Sequence, residues 1–247
     1  MLKGALNDPA NSGTLEIVFD RTSNMLSKFL RQPSSFLTAF CLALTLLAVT
    51  SPAHAGRPLN VDDANVNDTG AGHLEAWWAR APDGTRSWSV APAYAPVEGL
   101  ELGAGIAREL RTGHVTQNIQ AKFRITPSQE NGCNVGAVAG YSRATSEASL
   151  PYINALFTCN NQTMGSLHTN LGALNVSSSQ RVRTWGVAWE RPYGDITVHI
   201  ETFGLENEKS TWATGARFNV LPGLQLDTSL GRMQKQNVLT LGFKWMF

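Results

Sequence analysis

From about residue 73 to the C-terminus, apolar and polar positions alternate residue by residue, and the alternation restarts after each turn signal. The last segment shows it most plainly. Leu239, Leu241, Phe243, Trp245 and Phe247 share one face, while Thr240, Gly242, Lys244 and Met246 share the other. Leu224, Leu226, Thr228 and Leu230 alternate with Gln225, Asp227, Ser229 and Gly231. Val115, Gln117, Ile119, Ala121, Phe123 and Ile125 alternate with Thr116, Asn118, Gln120, Lys122 and Arg124. A helix needs apolar residues three and four apart, and these segments do not supply them. A period of two belongs to an extended strand with one face in apolar surroundings.

Eleven turn signals divide this region, among them Pro82-Asp83-Gly84, Arg111-Thr112-Gly113, Asn160-Asn161-Gln162 and Pro222-Gly223. Pro and Gly supply the fixed and positive φ angles that tight turns require. Twelve strands follow, over about 73–81, 86–95, 100–110, 114–126, 132–144, 151–159, 164–176, 181–191, 196–205, 210–221, 224–232 and 238–247. Strands of this length cross a bilayer when tilted, and single-chain bacterial barrels have an even strand number. The expected fold class is therefore all-β, an antiparallel up-and-down transmembrane β-barrel of about 12 strands spanning 73–247. A soluble β-sandwich, with the apolar face as a shared core, is the alternative.

Composition supports the barrel. Charged residues make up 16% of the chain, against 22 Gly and 7 Trp, whereas soluble domains carry about 25% charge. Lys and Arg number 20 against 19 Asp and Glu, with no basic stripe, so a nucleic-acid partner is not expected.

The one long apolar run, Phe36 to Val49, follows Lys28 and Arg31 and precedes Ala53-His54-Ala55. A basic flank, a short apolar stretch and a small-x-small site are the parts of a secretory signal. The run is too short to span a bilayer comfortably as a helix, which takes about 20 residues, so a retained anchor is the lesser alternative. The expected organisation is a mis-assigned extension over 1–24, a signal peptide over 25–55 cleaved after Ala55, and a periplasmic lead-in over 56–72. Outer-membrane localisation follows, with lipid as the surrounding partner.

Carrying the alternation through places Glu75, Glu101, Lys122, Arg124, Glu190, His199, Glu201, Arg217, Asp227 and Lys244 on the lumen side, with Asn118, Gln120 and Asn219. Charges of both signs fall on adjacent strands. The expected pairs are Asp227 with Lys244, Glu201 with Arg217, and Lys244 with Glu75 across the closing seam. Burying a charge is costly unless it is paired. The lumen then reads either as a self-satisfied, salt-bridged core or as a selective passage for a small solute. Trp78, Trp88, Tyr94, Trp185, Trp189, Trp212 and Trp245 fall near strand ends or on the lipid face, where aromatic belts sit.

Cys133 and Cys159 lie on neighbouring strands equidistant from the turn at Ser146 to Ser149. Their register also sets Val135 against Phe157 and Ala137 against Ala155, and in an oxidising compartment a disulfide is expected. Two unpaired small apolar residues are the alternative. No metal-ligand spacing or cofactor motif occurs, and no catalytic residue is assigned. Ser166, His168 and Asn170 share one strand face, but residues two apart in a strand are about 6.5–7 Å apart, marginal for a nucleophile and its base without help from a neighbouring strand. A barrel lipid hydrolase is thus a third reading, after a channel for a small solute, a hydrophobic one included, and a closed structural barrel.

Two resemblances add to this. Phe247, a terminal aromatic in the lipid-facing register, resembles the C-terminal signature read by the outer-membrane barrel-assembly machinery. The segment Arg57-Pro58-Leu59-Asn60-Val61-Asp62-Asp63-Ala64, followed by Gly70 to Glu75, resembles the opening of a proteobacterial outer-membrane barrel family loosely related to the "MetA-pathway of phenol degradation" barrels. Val61 stands where those proteins usually have Thr. The resemblance implies a barrel handling small hydrophobic or aromatic compounds. Structurally, the segment itself reads as a periplasmic strap or a partial plug at the barrel mouth. Asp62 and Asp63 would then meet basic lumen residues such as Arg124.

Overall fold

The computed structural model describes residues 59–177, 179–233 and 236–247. The expected leader, its cleavage point and residues 1–24 lie outside them.

Twelve antiparallel strands form a closed barrel in which each strand pairs with its sequence neighbours and β1 pairs with β12. They are β1 (Gly72–Arg80), β2 (Arg86–Val97), β3 (Leu100–Glu109), β4 (Val115–Arg124), β5 (Gly132–Ala144), β6 (Leu150–Asn161), β7 (Gly165–Asn175), β8 (Arg181–Tyr193), β9 (Ile196–Leu205), β10 (Thr211–Leu221), β11 (Leu224–Met233) and β12 (Gln236–Met246). Closure leaves no open edge, so the strand backbones satisfy one another. The register slips once between Tyr94 and Val97 and once between Asn219 and Leu221.

The two ends of the barrel differ. The end that holds Gly72 and Phe247 has two-residue turns at 98–99, 194–195 and 222–223. Its longer connections, 125–131 and 162–164, are tied together by Asn160 Nδ2 donating to Gln129 O and Gln162 N donating to Asn131 Oδ1. At the far end, five of the connections have five residues each: 81–85, 110–114, 145–149, 176–180 and 206–210.

The strand pleat separates two chemistries. Outward stand Ile106, Ile119, Phe123, Ile153, Leu171, Ile200, Leu226, Leu241 and Phe243, all large, apolar and exposed. Inward stand charges, amides, hydroxyls and small residues. This is an inside-out soluble protein, and only a surrounding apolar phase makes the outer face stable.

Cys133 and Cys159 are register partners joined by a disulfide, Cα atoms 4.0 Å apart. They share the outer face with Val135 and Phe157, at the termini end.

The lumen's apolar core comes partly from the lead-in. Ala64 packs with Val138 and Leu156, against Tyr152, and Leu59 and Val61 pack with Ala188, against Phe203. Two glycines let the lead-in approach the wall closely, one at its backbone and one at a side chain. A Cβ at Gly136 would meet Ala64 O at 3.0 Å, and one at Gly186 would meet Val61 Cγ2 at 2.8 Å.

Candidate functional site

Glu75, Glu101, Lys122, Glu190, His199, Glu201, Arg217, Asp227 and Lys244 are all buried, at no more than 9% exposed. Most sit a few residues from the termini end of their strands, so they form a charged belt at one depth. Arg124 is different. It is at the strand end, half-buried, and turns to Glu98 in the β2–β3 turn at 3.1 Å.

From Leu59 the lead-in crosses the lumen at this belt and is held by wall side chains that satisfy its backbone. Glu201 accepts from Asn60 N at 2.8 Å, Asn60 Nδ2 at 2.7 Å and Val61 N at 2.9 Å. Asn170 Oδ1 accepts from Asp62 N while Asn170 Nδ2 donates to Asp62 O, both at 2.7 Å. Thr158 Oγ1 accepts from Ala64 N, Asn134 Nδ2 donates to Asn65 Oδ1, and Glu101 Oε2 accepts from Asn67 N. An irregular segment inside a barrel must place its N–H and C=O groups on something; Glu201, Asn170, Thr158 and Glu101 serve that backbone, while Asn134 holds the Asn65 side chain.

Lys122 Nζ lies 2.7 Å from Asp62 Oδ1 and 3.6 Å from Asp63 Oδ2. The basic partner of the two lead-in aspartates is therefore Lys122 rather than Arg124. Lys122 stands one pleat further in, level with the crossing chain, whereas Arg124 is at the rim. The expected Glu201–Arg217 pair does not form either. The register sets Glu201 opposite Ala213 and Arg217 opposite Thr197, two pleats apart along the wall, about 13 Å. Arg217 instead reaches Glu190 at 2.7 Å, and Glu201 is given to the lead-in. Across the closing seam Lys244 and Glu75 are register partners with Nζ and Oε1 3.4 Å apart. Asp227 and Lys244 are offset, with Gly242 and Gln225 as their respective partners.

Ser166 and His168 do not form a nucleophile–base pair. Ser166 Oγ donates to Asn160 Oδ1, and His168 Nδ1 is 2.9 Å from Thr158 Oγ1. His168 Nε2 lies 3.4 Å from Glu190 Oε1. The Ala64 N–H, Thr158, His168, Glu190 and Arg217 thus make one polar chain from the lead-in round the wall from β6 to β10.

On the far-end side of the lead-in is a cavity of about 420 Å³. Asp62, Asp63 and Val66 contribute to its floor, and Trp77, Asn118, Gln120 and Tyr152 to its walls. Tyr152 Oη donates to Gln120 Oε1 at 2.8 Å. Among the described residues no cluster of three His, Cys, Asp or Glu side chains could hold a metal ion.

Closed antiparallel barrel, apolar exterior and polar filled interior define the class as the porin-like outer-membrane barrel fold. Residues 43–246 match the family described as "Uncharacterised conserved protein UCP029691", and the chain belongs to that family. No curated protein matches it significantly. Among solved structures it is similar to KdgM porin at 8% identity and TM-score 0.61, covering 71% of this chain and 99% of that one. A second KdgM structure, in complex with disordered oligogalacturonate, gives 8% identity and TM-score 0.62, covering 71% and 99%. The COG4313 outer membrane channel from Pseudomonas putida F1 gives 11% identity and TM-score 0.53, covering 76% and 100%. At such identities the likeness is one of fold.

Proposed function

We propose that the protein is an outer-membrane channel for small polar solutes, closed at its periplasmic half by its own lead-in. The observation that carries this reading is the cavity above a crossing segment held mainly by polar contacts, which water can replace. Outer-membrane barrels have short periplasmic turns and longer outer loops, so the termini end faces the periplasm and the cavity opens outward. Residues 25–55 act as the export signal, cleaved after Ala55, and Phe247 serves recognition by the assembly machinery.

The lining argues against a hydrophobic solute. Asn118, Gln120, Ser142 and Thr116 line the cavity with amides and hydroxyls. It also argues against an acidic one, because Asp62, Asp63, Glu75 and Glu101 outnumber Lys122 and Lys244 there. Acidic linings favour cations. A polyanion such as the oligogalacturonate in the KdgM complex would be repelled, and neutral or cationic solutes fit.

The test is single-channel recording in a planar bilayer, comparing the whole protein with one lacking 59–67. We expect brief or small openings from the first, sustained and cation-selective current from the second. A silent deletion variant that still shifts on boiling would sink the channel in favour of a closed structural barrel. The buried Arg217–Glu190–His168 cluster is the feature that favours that second reading.

A further inference from the structure

The outer face of the strands carries charge of one sign only. Arg80, Arg86, Arg108, Arg143, Arg181, Arg183, Arg191 and Arg232 point outward by the strand pleat, and no Asp, Glu or Lys of the strands does so. Seven of these lie at the far end, leaving Arg191 at the termini end over the Tyr193 ring. Several far-end arginines are engaged. Arg143 Nε donates to Glu147 O, Arg181 Nε to Asn175 Oδ1, and Arg183 lies 4.0 Å from Glu206.

Arg80, Arg86 and Arg108 are not. They stand on three consecutive strands, β1, β2 and β3. Arg80 and Arg86 are direct register partners, as are Trp78 and Trp88 one pleat below them, and Trp88 is opposite Arg108. Among the described residues none of the three guanidinium groups has a hydrogen-bond or ion-pair partner. Like charges set directly opposite each other on a sheet destabilise it, so three unanswered guanidiniums call for an anion. The two tryptophans fix the depth, because indoles sit at the headgroup boundary. Guanidinium forks fit phosphate oxygens two at a time.

We propose that the outer face of β1–β3 binds the phosphate groups of a phosphorylated glycolipid in the outward leaflet. The lipid's acyl chains would lie along Val90, Leu102 and Ile106, which are exposed on the same face. The site rests on the membrane orientation given above but not on the lumen being a passage.

The experiment uses the whole protein folded in a neutral detergent, with diphosphoryl lipid A, its dephosphorylated form and inorganic phosphate as probes. Binding is followed by native mass spectrometry and folding by the mobility shift on boiling. Diphosphoryl lipid should bind in a salt-sensitive manner, and R80Q/R86Q/R108Q should bind it roughly tenfold or more weakly. R80K/R86K/R108K, which keeps charge but loses the fork, should fall between. Arg124→Gln at the opposite rim should leave binding unchanged. Equal binding by the Gln variant, equal binding of the dephosphorylated lipid, or full competition by equimolar inorganic phosphate would each overturn the proposal. A wild-type protein that shows no mobility shift would instead remove the membrane reading, and the lipid site with it.

Discussion

The lumen is filled in two different ways. Along β3 to β7 the wall presents single polar side chains, Glu101, Lys122, Asn134, Thr158 and Asn170, each meeting an atom of the lead-in. Across β8 to β10 one wall residue, Glu201, also turns to the lead-in, but the wall chiefly pairs its own charges, Glu190 with Arg217, both nearly sealed from water. The first sector is completed by a segment with no ladder of its own. The second is built from side chains fixed on paired strands. Damage in the second sector has to be borne by the whole barrel, whereas damage in the first can be relieved by the lead-in coming away. Low-stability units of that kind open locally without global unfolding.

Arg217→Ala should show the largest effect. Removing one member of a buried pair strands the other charge, a loss of about 3–5 kcal/mol. Urea unfolding in micelles, followed by the mobility shift, measures it. A loss below about 1 kcal/mol, the range of an exposed pair, would mean that this sector is wetter than the geometry shows.

The disulfide gives a yardstick outside both sectors. Cys133 and Cys159 are 26 residues apart, and closing a loop of that length is worth about 3.5 kcal/mol by its effect on the unfolded chain. Cys133→Ser with Cys159→Ser should lower the unfolding midpoint accordingly and leave conductance unchanged. A change in conductance would show that the bridge, though on the outer face, shapes the lumen.

Thr158→Val joins the sectors, because Thr158 Oγ1 meets both Ala64 N and His168 Nδ1. The isosteric change leaves a buried N–H without its acceptor, a loss of about 1–3 kcal/mol. Combined with Arg217→Ala it should be non-additive, since residues in one polar network couple. Strict additivity would mean that the two sectors are energetically separate.

How much of this was legible in the sequence follows from the range of each interaction. Strand period and turn chemistry are local, so all twelve strands were placed with ends within about three residues of those observed. The Cys133–Cys159 register came from counting back from one turn, also a local operation. What failed was long-range. Glu201 and Arg217 sit on neighbouring strands, and the 206–210 connection sets a register that separates them. The lead-in has no periodicity, so nothing in it shows which wall residues satisfy its backbone, and Glu201, Asn170 and Thr158 look like any lumen-facing polar group. The arginines on the outer face carried a readable signal, since each falls on the apolar parity of its strand. The pairing rule for buried charges applies only to the inner face, so it says nothing of them.

Lys122→Ala should have the smallest global effect, and it tests the comparison most directly. Lys122 is buried, but its closest partner, Asp62, keeps about a third of its side chain in contact with solvent. Removing the ammonium leaves Asp62, Asp63 and Glu101 facing one another, and like charges at that range repel. The repulsion need not unfold the barrel, because the lead-in can carry both aspartates out toward the cavity. The unfolding midpoint should therefore move by under about 1 kcal/mol, a change typical of a locally relieved site, while the lead-in becomes open to protease and channel openings lengthen. A loss as large as that of Arg217→Ala, with the lead-in still protected, would mean that the lead-in is as integral to the barrel as any strand. The contrast between the two sectors would then disappear.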